Sequence, residues 1–222
     1  MPVREWRNLT TEDVRALDAP RAVAVLPVAA IESHGPHLPL STDAAIAEGL
    51  LAALAGCPVV AEVLVLPVQQ IGKSDEHLSF PGTLTLSAET AIRAWVEIGA
   101  SAARIGLRRL VIVSSHGGNS EVIGIVAREL RRRFGMLAVS TAWLRFGRPE
   151  GLFDADEVRH GIHGGDVETS LMLHFRPDLV RRDRVQNFVP ASVELERGFA
   201  WLRATGPAAR SPPSRSNGAT AC

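Results

Sequence analysis

Apolar residues along the chain fall into two kinds of run. Residues 22–28, 58–68, 110–113 and 136–143 form short, nearly unbroken stretches rich in Val, Ile, Leu and Ala. Continuous apolar runs of that length read as strands of a parallel sheet buried on both faces, with 58–68 supplying one strand or two. Between them lie longer stretches with helical spacing. Residues 8–17 carry Thr10 or Thr11 ahead of acidic residues, a helix-start signal, with Leu9, Val14 and Leu17 on one side. Residues 44–54 form a second helix, entered at Thr42 or Asp43. A third opens at Ser87 and runs to about Arg104, presenting Ile92, Trp95, Val96 and Ile98 before Gly106 closes it. A fourth spans 121–134, and a fifth begins after His163-Gly164-Gly165 and ends before Pro177.

The polar exceptions to this pattern gather where strands end. Behind the first apolar run comes Ile31-Glu32-Ser33-His34-Gly35-Pro36-His37-Leu38-Pro39-Leu40-Ser41-Thr42-Asp43. Glu32 and His34 are one residue apart and project to the same side of an extended segment. Gly35-Pro36 and Pro39 bend the chain and bring Asp43 to a helix start. Carboxylate and imidazole together suit a divalent metal, although an acidic residue in a first helical turn needs no metal to explain it. The 110–113 run delivers Ser114-Ser115-His116-Gly117-Gly118-Asn119 at the corresponding position. Ligands of open parallel sheets lie beyond the carboxyl ends of the strands, so His116 falls at the same rim as Glu32 and His34. The turn is neither a phosphate loop nor a dinucleotide fingerprint, and no nucleophile-elbow pattern surrounds Ser114 or Ser115. His163 sits in a glycine-rich entry five residues before Glu168, and the two can converge if the turn folds back. His160 and His174 read as surface or interface histidines. The long polar loop 69–83 contains Glu76 and His77 and reads as a site-lining segment, which makes these two and Asn119 substrate-loop candidates.

Composition narrows the function without naming it. With 222 residues the chain suits one domain, and 24 basic against 24 acidic residues leave no net charge. Nucleic-acid binding has no electrostatic support; Arg131-Arg132-Arg133 and Arg181-Arg182 read as solvated helix ends. Cys57 and Cys222 form no disulfide or zinc pattern, which fits a reducing compartment. No signal core opens the chain and no run of membrane-spanning length occurs, so a soluble, cytoplasmic protein with no membrane association is expected.

The segment from Ile31 to Asp43, Glu76-His77 with Phe80-Pro81-Gly82-Thr83, Ser115 to Asn119, and His163 to Ser170 together resemble the creatininase (creatinine amidohydrolase) family in order and spacing. The likeness runs from the first strand to about Trp201. It implies a three-layer α/β/α sandwich with a mostly parallel sheet, a homo-oligomer (hexamers in the family), and two divalent ions per chain, zinc with zinc, manganese or iron. By matching position it implies Glu32 and His116 on one metal, His34 and Glu168 on the other, and Asp43 bridging both. His163 then shuttles the proton, and metal hydroxide hydrolyses the C–N bond of a cyclic amide, formamide or small peptide-like molecule. Creatininase itself has a glutamate metal ligand where this chain has Gly118, which shifts that duty to Glu168 and argues against creatinine as substrate. The alternative is a catalytically silent metal-binding protein of the same fold.

The domain is expected over 1–202. Residues 203–222, rich in Ala, Arg, Pro and Ser, carry too few large apolar side chains to bury and are expected to be disordered. Our hypothesis is that this tail reflects truncation or a shifted reading frame; an intact frame with the same tail in close relatives would sink it.

Overall fold

A computed structural model describes residues 1–187 together with Pro190, Ala191, Val193 and Gly198. The expected tail at 203–222 lies outside the described residues. Five strands form one sheet: β1 (Val3–Glu5), β2 (Val23–Val28), β3 (Val63–Val65), β4 (Arg109–Ser114) and β5 (Leu137–Ala142). Their order is β1-β3-β2-β4-β5 and every pairing is parallel. The helices are α1 (Thr11–Arg15), α2 (Thr42–Leu54), α3 (Ala88–Arg104), α4 (Ser120–Phe134), α5 (Ala155–His160) and α6 (Asp166–Phe175).

Alternation along the strands sorts side chains into two layers of core. Ala24, Leu26, Leu64, Leu110, Ile112 and Ala138 face α3 and α4, packing against Trp95, Val126 and Leu130. Val25, Val63, Val65 and Val113 point to the opposite face, where Leu51 of α2 meets them. Helix α6 packs on α2 rather than directly on the strands, joining Ala45 and Ile46 to Met172. Gly49 permits that approach, because a Cβ there would stand 2.3 Å from the Phe175 ring. The result is a three-layer α/β/α sandwich.

Two elements escape the apolar pattern. Strand β1 is the sequence Val-Arg-Glu, too short and polar to show as a run; it forms because its backbone pairs with β3. Arg4 then ion-pairs Asp13 at 2.7 Å, tying the edge to α1, whose Thr10 and Asp13 form a capping box. Helix α5 is mostly polar, with no buried residue, and starts on Asp154, whose side chain accepts from the Glu157 N–H. No described helix is long and apolar enough to cross a membrane.

Topology locates the site. The chain leaves β2 for β3 on one side and returns to β4 on the other, so the direction of winding reverses between β2 and β4. Open α/β sheets place their ligand crevice at that switch point, beyond the strands' carboxyl ends.

Candidate metal centre

The loop after β2 is closed on itself before it turns into α2. The Glu32 N–H donates to the Leu40 carbonyl at 3.0 Å, and the Thr42 hydroxyl donates to the Pro39 carbonyl at 2.7 Å. Gly35, at φ 74°, makes the turn between them. This clamp buries Glu32 and His34 at the end of β2 and carries Asp43 into the first turn of α2 beside them. The N-cap is Ser41, and Asp43 Oδ2 is buried without a hydrogen-bond partner, so helix initiation does not account for its burial.

The turn after β4 is locked by Ser114 and Asn119. The Ser114 hydroxyl donates to the His116 carbonyl at 2.7 Å and accepts from the His116 N–H at 3.1 Å. Fully buried Asn119 donates to the Ala29 carbonyl at 3.0 Å and accepts from the Lys73 N–H at 2.9 Å. Asn119 thereby fastens three loops together. Ser114, so engaged, has no histidine base on its hydroxyl.

Around this frame the predicted residues converge. His34 Nε2 lies 3.6 Å from Asp43 Oδ1, 3.9 Å from Glu32 Oε1 and 3.9 Å from Glu168 Oε2. His116 Nδ1 lies 3.1 Å from Glu32 Oε1 and 3.5 Å from Asp43 Oδ2. The two oxygens of Asp43 thus face two different histidines. His163 Nδ1 is 3.5 Å from Glu32 Oε1, and its ring stacks between those of His34 and His77 at centroid distances of 4.1 and 4.2 Å.

Backbone carbonyls set the histidine tautomers. A carbonyl can only accept, so His34 Nδ1 donates to the Glu32 carbonyl at 3.1 Å. His116 Nε2 likewise donates to the Lys73 carbonyl at 2.9 Å, and His163 Nε2 to the Ser33 carbonyl at 2.6 Å. Their other nitrogens face carboxylate oxygens, so each either carries a proton donated toward the carboxylate or presents a lone pair to a metal ion, and outer-sphere carbonyls of this kind orient metal-binding imidazoles.

The unsatisfied atoms identify what that cation has to contact. Glu32 Oε1 and Oε2, Asp43 Oδ2, His34 Nε2 and His77 Nδ1 are buried without a hydrogen-bond partner. Burying unpaired carboxylates costs several kcal/mol each, so the cluster is not explained as packing. Oxygen and nitrogen donors of Glu32, His34 and Asp43 lie within 4.8 Å of one another, as do those of His34, His163 and Glu168. A divalent ion fits this donor set.

Proton affinities follow from the same crowding. Burial acts on every group and is opposed to a different degree at each. At His34 it is outweighed by Asp43, Glu168 and Glu32, which push the imidazole up to about 9. His116 rises well above its ordinary value because Glu32, Glu76 and Asp43 overcome burial. His163 falls well below, driven by burial and by the neighbouring His34. Burial raises Glu168 to about 7.

The sequence under-reads three residues here. His77, expected only to line the loop, stands 3.6 Å from Glu32 Oε2 and completes the histidine stack. Glu76 Oε1 lies 3.2 Å from His116 Nε2, in space left by Gly118, where a Cβ would come within 2.1 Å of it. His37, part of the His34-Gly35-Pro36-His37 motif, is buried with Nε2 2.9 Å from the Thr169 hydroxyl, holding α6 against the β2 loop. Its spacing behind His34 was the available signal. His160 and His174 each border a cavity and stand outside the cluster.

An α/β/α sandwich with buried carboxylates and imidazoles at its switch point is an arrangement that could hold a metal ion, and known proteins show what the chain is similar to. Residues 7–221 match the family described as creatininase, creatinine amidohydrolase. The mycofactocin precursor peptide peptidase of Mycolicibacterium smegmatis is 34% identical over 182 residues, 80% of this chain and 68% of that protein. The creatinine amidohydrolase of Pseudomonas putida is 36% identical over 193 residues, 77% of this chain and 70% of that one. Solved structures of creatininase in a manganese form and of a mutant creatininase of zinc–zinc type each superpose with TM-score 0.65 at 33% identity, covering 84% of this chain and 78% of theirs. The chain belongs to the creatininase family of amidohydrolases.

Proposed function

We propose that this protein hydrolyses a C–N amide bond with two divalent ions held in the cluster. Glu32 and His116 would hold one, His34 and Glu168 the other, and Asp43 would touch both. The observation that carries this reading is the convergence of unsatisfied carboxylate oxygens and imidazole nitrogens, with Asp43 spanning two histidines. The manganese and zinc–zinc forms of the similar creatininases support the choice of ion class. Bound ions of this kind lower the pKa of water toward roughly 7 and polarise an amide carbonyl.

The chain's own residues do the rest. Glu32 and Asp43 fix the donor geometry from two elements, one a clamped loop and the other a helix start. His163 handles the proton. Its Nε2 is committed to the Ser33 carbonyl, so Nδ1 is the atom that takes a proton and returns it to the departing nitrogen. Burial keeps this imidazole neutral and makes its protonated form a strong acid, which suits a leaving group that departs poorly as an anion. Glu76 and His77 brace the site from the loop above it, and Asn119 holds the loops in register.

Stripping the protein with a chelator, then restoring zinc, manganese or iron, tests the reading on a panel of small amides, formamides and short peptides. Turnover lost on stripping and regained with metal supports it. A metal-loaded protein that hydrolyses no member of the panel would favour a silent metal-binding protein instead.

A further inference from the structure

Two cavities meet at His163, and they differ in chemistry. One, of about 650 Å³, is bordered by Asp154, Asp156, Glu157 and Asp166 as well as His163. The other, of about 630 Å³, contains Asp43, His116, His163 and Glu168 in its lining and is otherwise largely apolar. Its apolar wall comes from the segment after β5, chiefly Trp143, Leu144, Phe146, Leu152 and Phe153, with Leu171 of α6.

Within that wall are two donors with nothing to bind. Trp143 Nε1 and Arg148 Nε are buried and lack a hydrogen-bond partner, and both residues line the second cavity. The acidic residues of that lining are Asp43 and Glu168, which the metal centre employs. Arg148 is half-buried with no ion-pair partner among the described residues, and a guanidinium beside an apolar wall is matched by a carboxylate, whose two oxygens suit its planar donors. The first cavity repels a carboxylate through its four acidic side chains, which orients a substrate that carries one.

Resting on the amidohydrolase reading, we propose that the second cavity takes the amine half of an N-acyl amino acid or peptide C-terminus. The α-carboxylate lies on the Arg148 guanidinium, and an aromatic or aliphatic side chain lies against the Leu144, Phe146, Leu152 and Phe153 wall. Water adds across the scissile bond: its hydroxyl goes to the acyl carbon, its proton to the nitrogen through His163, and a free apolar amino acid leaves.

The test compares N-acetyl-L-phenylalanine, its carboxamide, and N-acetylglycine on the metal-loaded protein, reading calorimetric affinity and amine release separately. The free acid should be preferred over both others by about tenfold or more, the scale on which a buried polar group discriminates. Arg148→Ala should bring the acid-to-carboxamide ratio to near one without changing metal content or the preference for phenylalanine over glycine. Arg148→Lys should restore part of the ratio. Equal affinity for acid and carboxamide in the native protein, or an unchanged ratio in Arg148→Ala, overturns the proposal. Should the acid bind with Arg148-dependent preference while no amide is cleaved, this inference stands and the amidohydrolase reading falls. Turnover of the carboxamide with no preference for the acid upholds the amidohydrolase reading and overturns the carboxylate site.

Discussion

The two faces of the sheet do different jobs. On one, α3 and α4 cover alternating Leu, Ile and Ala side chains completely, with Trp95 and Leu130 almost wholly buried. Among the described residues it contributes no side chain to the candidate metal centre. On the other, α2 covers the central strands with α6 packed on α2, and among the described residues β5 stays uncovered, so Leu137 and Val139 are 62% and 46% exposed. That layer supplies Asp43 from α2 and Glu168 from α6, while Glu32, His34 and His116 come from the strand ends. Stability is concentrated where no chemistry occurs, and the layer that carries charge into the interior packs less completely.

Substitutions on either side should separate the two roles. The largest effect is expected at Asp43→Asn, which removes the shared carboxylate. Turnover should fall by more than the roughly 100-fold that loss of an outer-sphere partner costs. Metal stoichiometry should fall in Asp43→Asn while circular dichroism shows the fold kept, and full metal binding by this variant would contradict the division. Leu130→Ala, on the other face, should lower stability by about 2–5 kcal/mol in denaturant titration and leave metal stoichiometry intact.

Smaller effects probe the link between loop and cluster. In Gly118→Ala the new methyl would collide with Glu76, with His116 Nε2 and with the Lys73 carbonyl, so the bracing of His116 should be disturbed and metal affinity weaken by at least about 10–100-fold, the scale of outer-sphere losses. Chelator competition measures this, and unchanged affinity would show that these contacts around His116 do not brace a metal ligand. Proton competition should be visible at the same nitrogens. In the metal-free protein His34 stays protonated up to about 9, so below that pH a metal has to expel a proton, and affinity should climb as pH rises toward it. Calorimetry at pH 7 in buffers of different ionisation heat should detect the release; identical heats would refute it.

The smallest effect lies far from the site. Thr10, through its hydroxyl and its backbone N–H, and then Arg4 hold the Asp13 carboxyl at about 2 against an ordinary 3.8. A folded-state value below the unfolded one stabilises fully above 3.8 and is lost as pH falls toward 2. Asp13→Asn should flatten the acid limb of the stability profile slightly, the pair being exposed.

How much of this could be read in the chain itself depends on the range of the forces involved. Strands β2, β4 and β5 are visible because burial on both faces demands unbroken apolar runs, and helices α2, α3 and α4 because their spacing and start signals are local. Strand β1 and helix α5 are not, since one is held by pairing with β3 and the other by a cap on Asp154. Among site residues, Glu32, His34 and His116 stand out because they follow apolar runs directly. Asp43 is ambiguous at a helix start, and only its burial with Oδ2 lacking a hydrogen-bond partner separates the two readings. The nearness of His77 to Glu32 depends on a long loop folding back, and the unpaired state of Arg148 Nε depends on what is missing around it. No spacing encodes either.

The mechanism turns on whether Asp43 joins two ions. Anomalous diffraction from crystals loaded with zinc or manganese would locate them. Two peaks about 3.5–4 Å apart are expected, with Asp43 between them, Glu32 and His116 on one, and His34 and Glu168 on the other. A single peak, or a pair that Asp43 does not touch, would contradict the proposed centre.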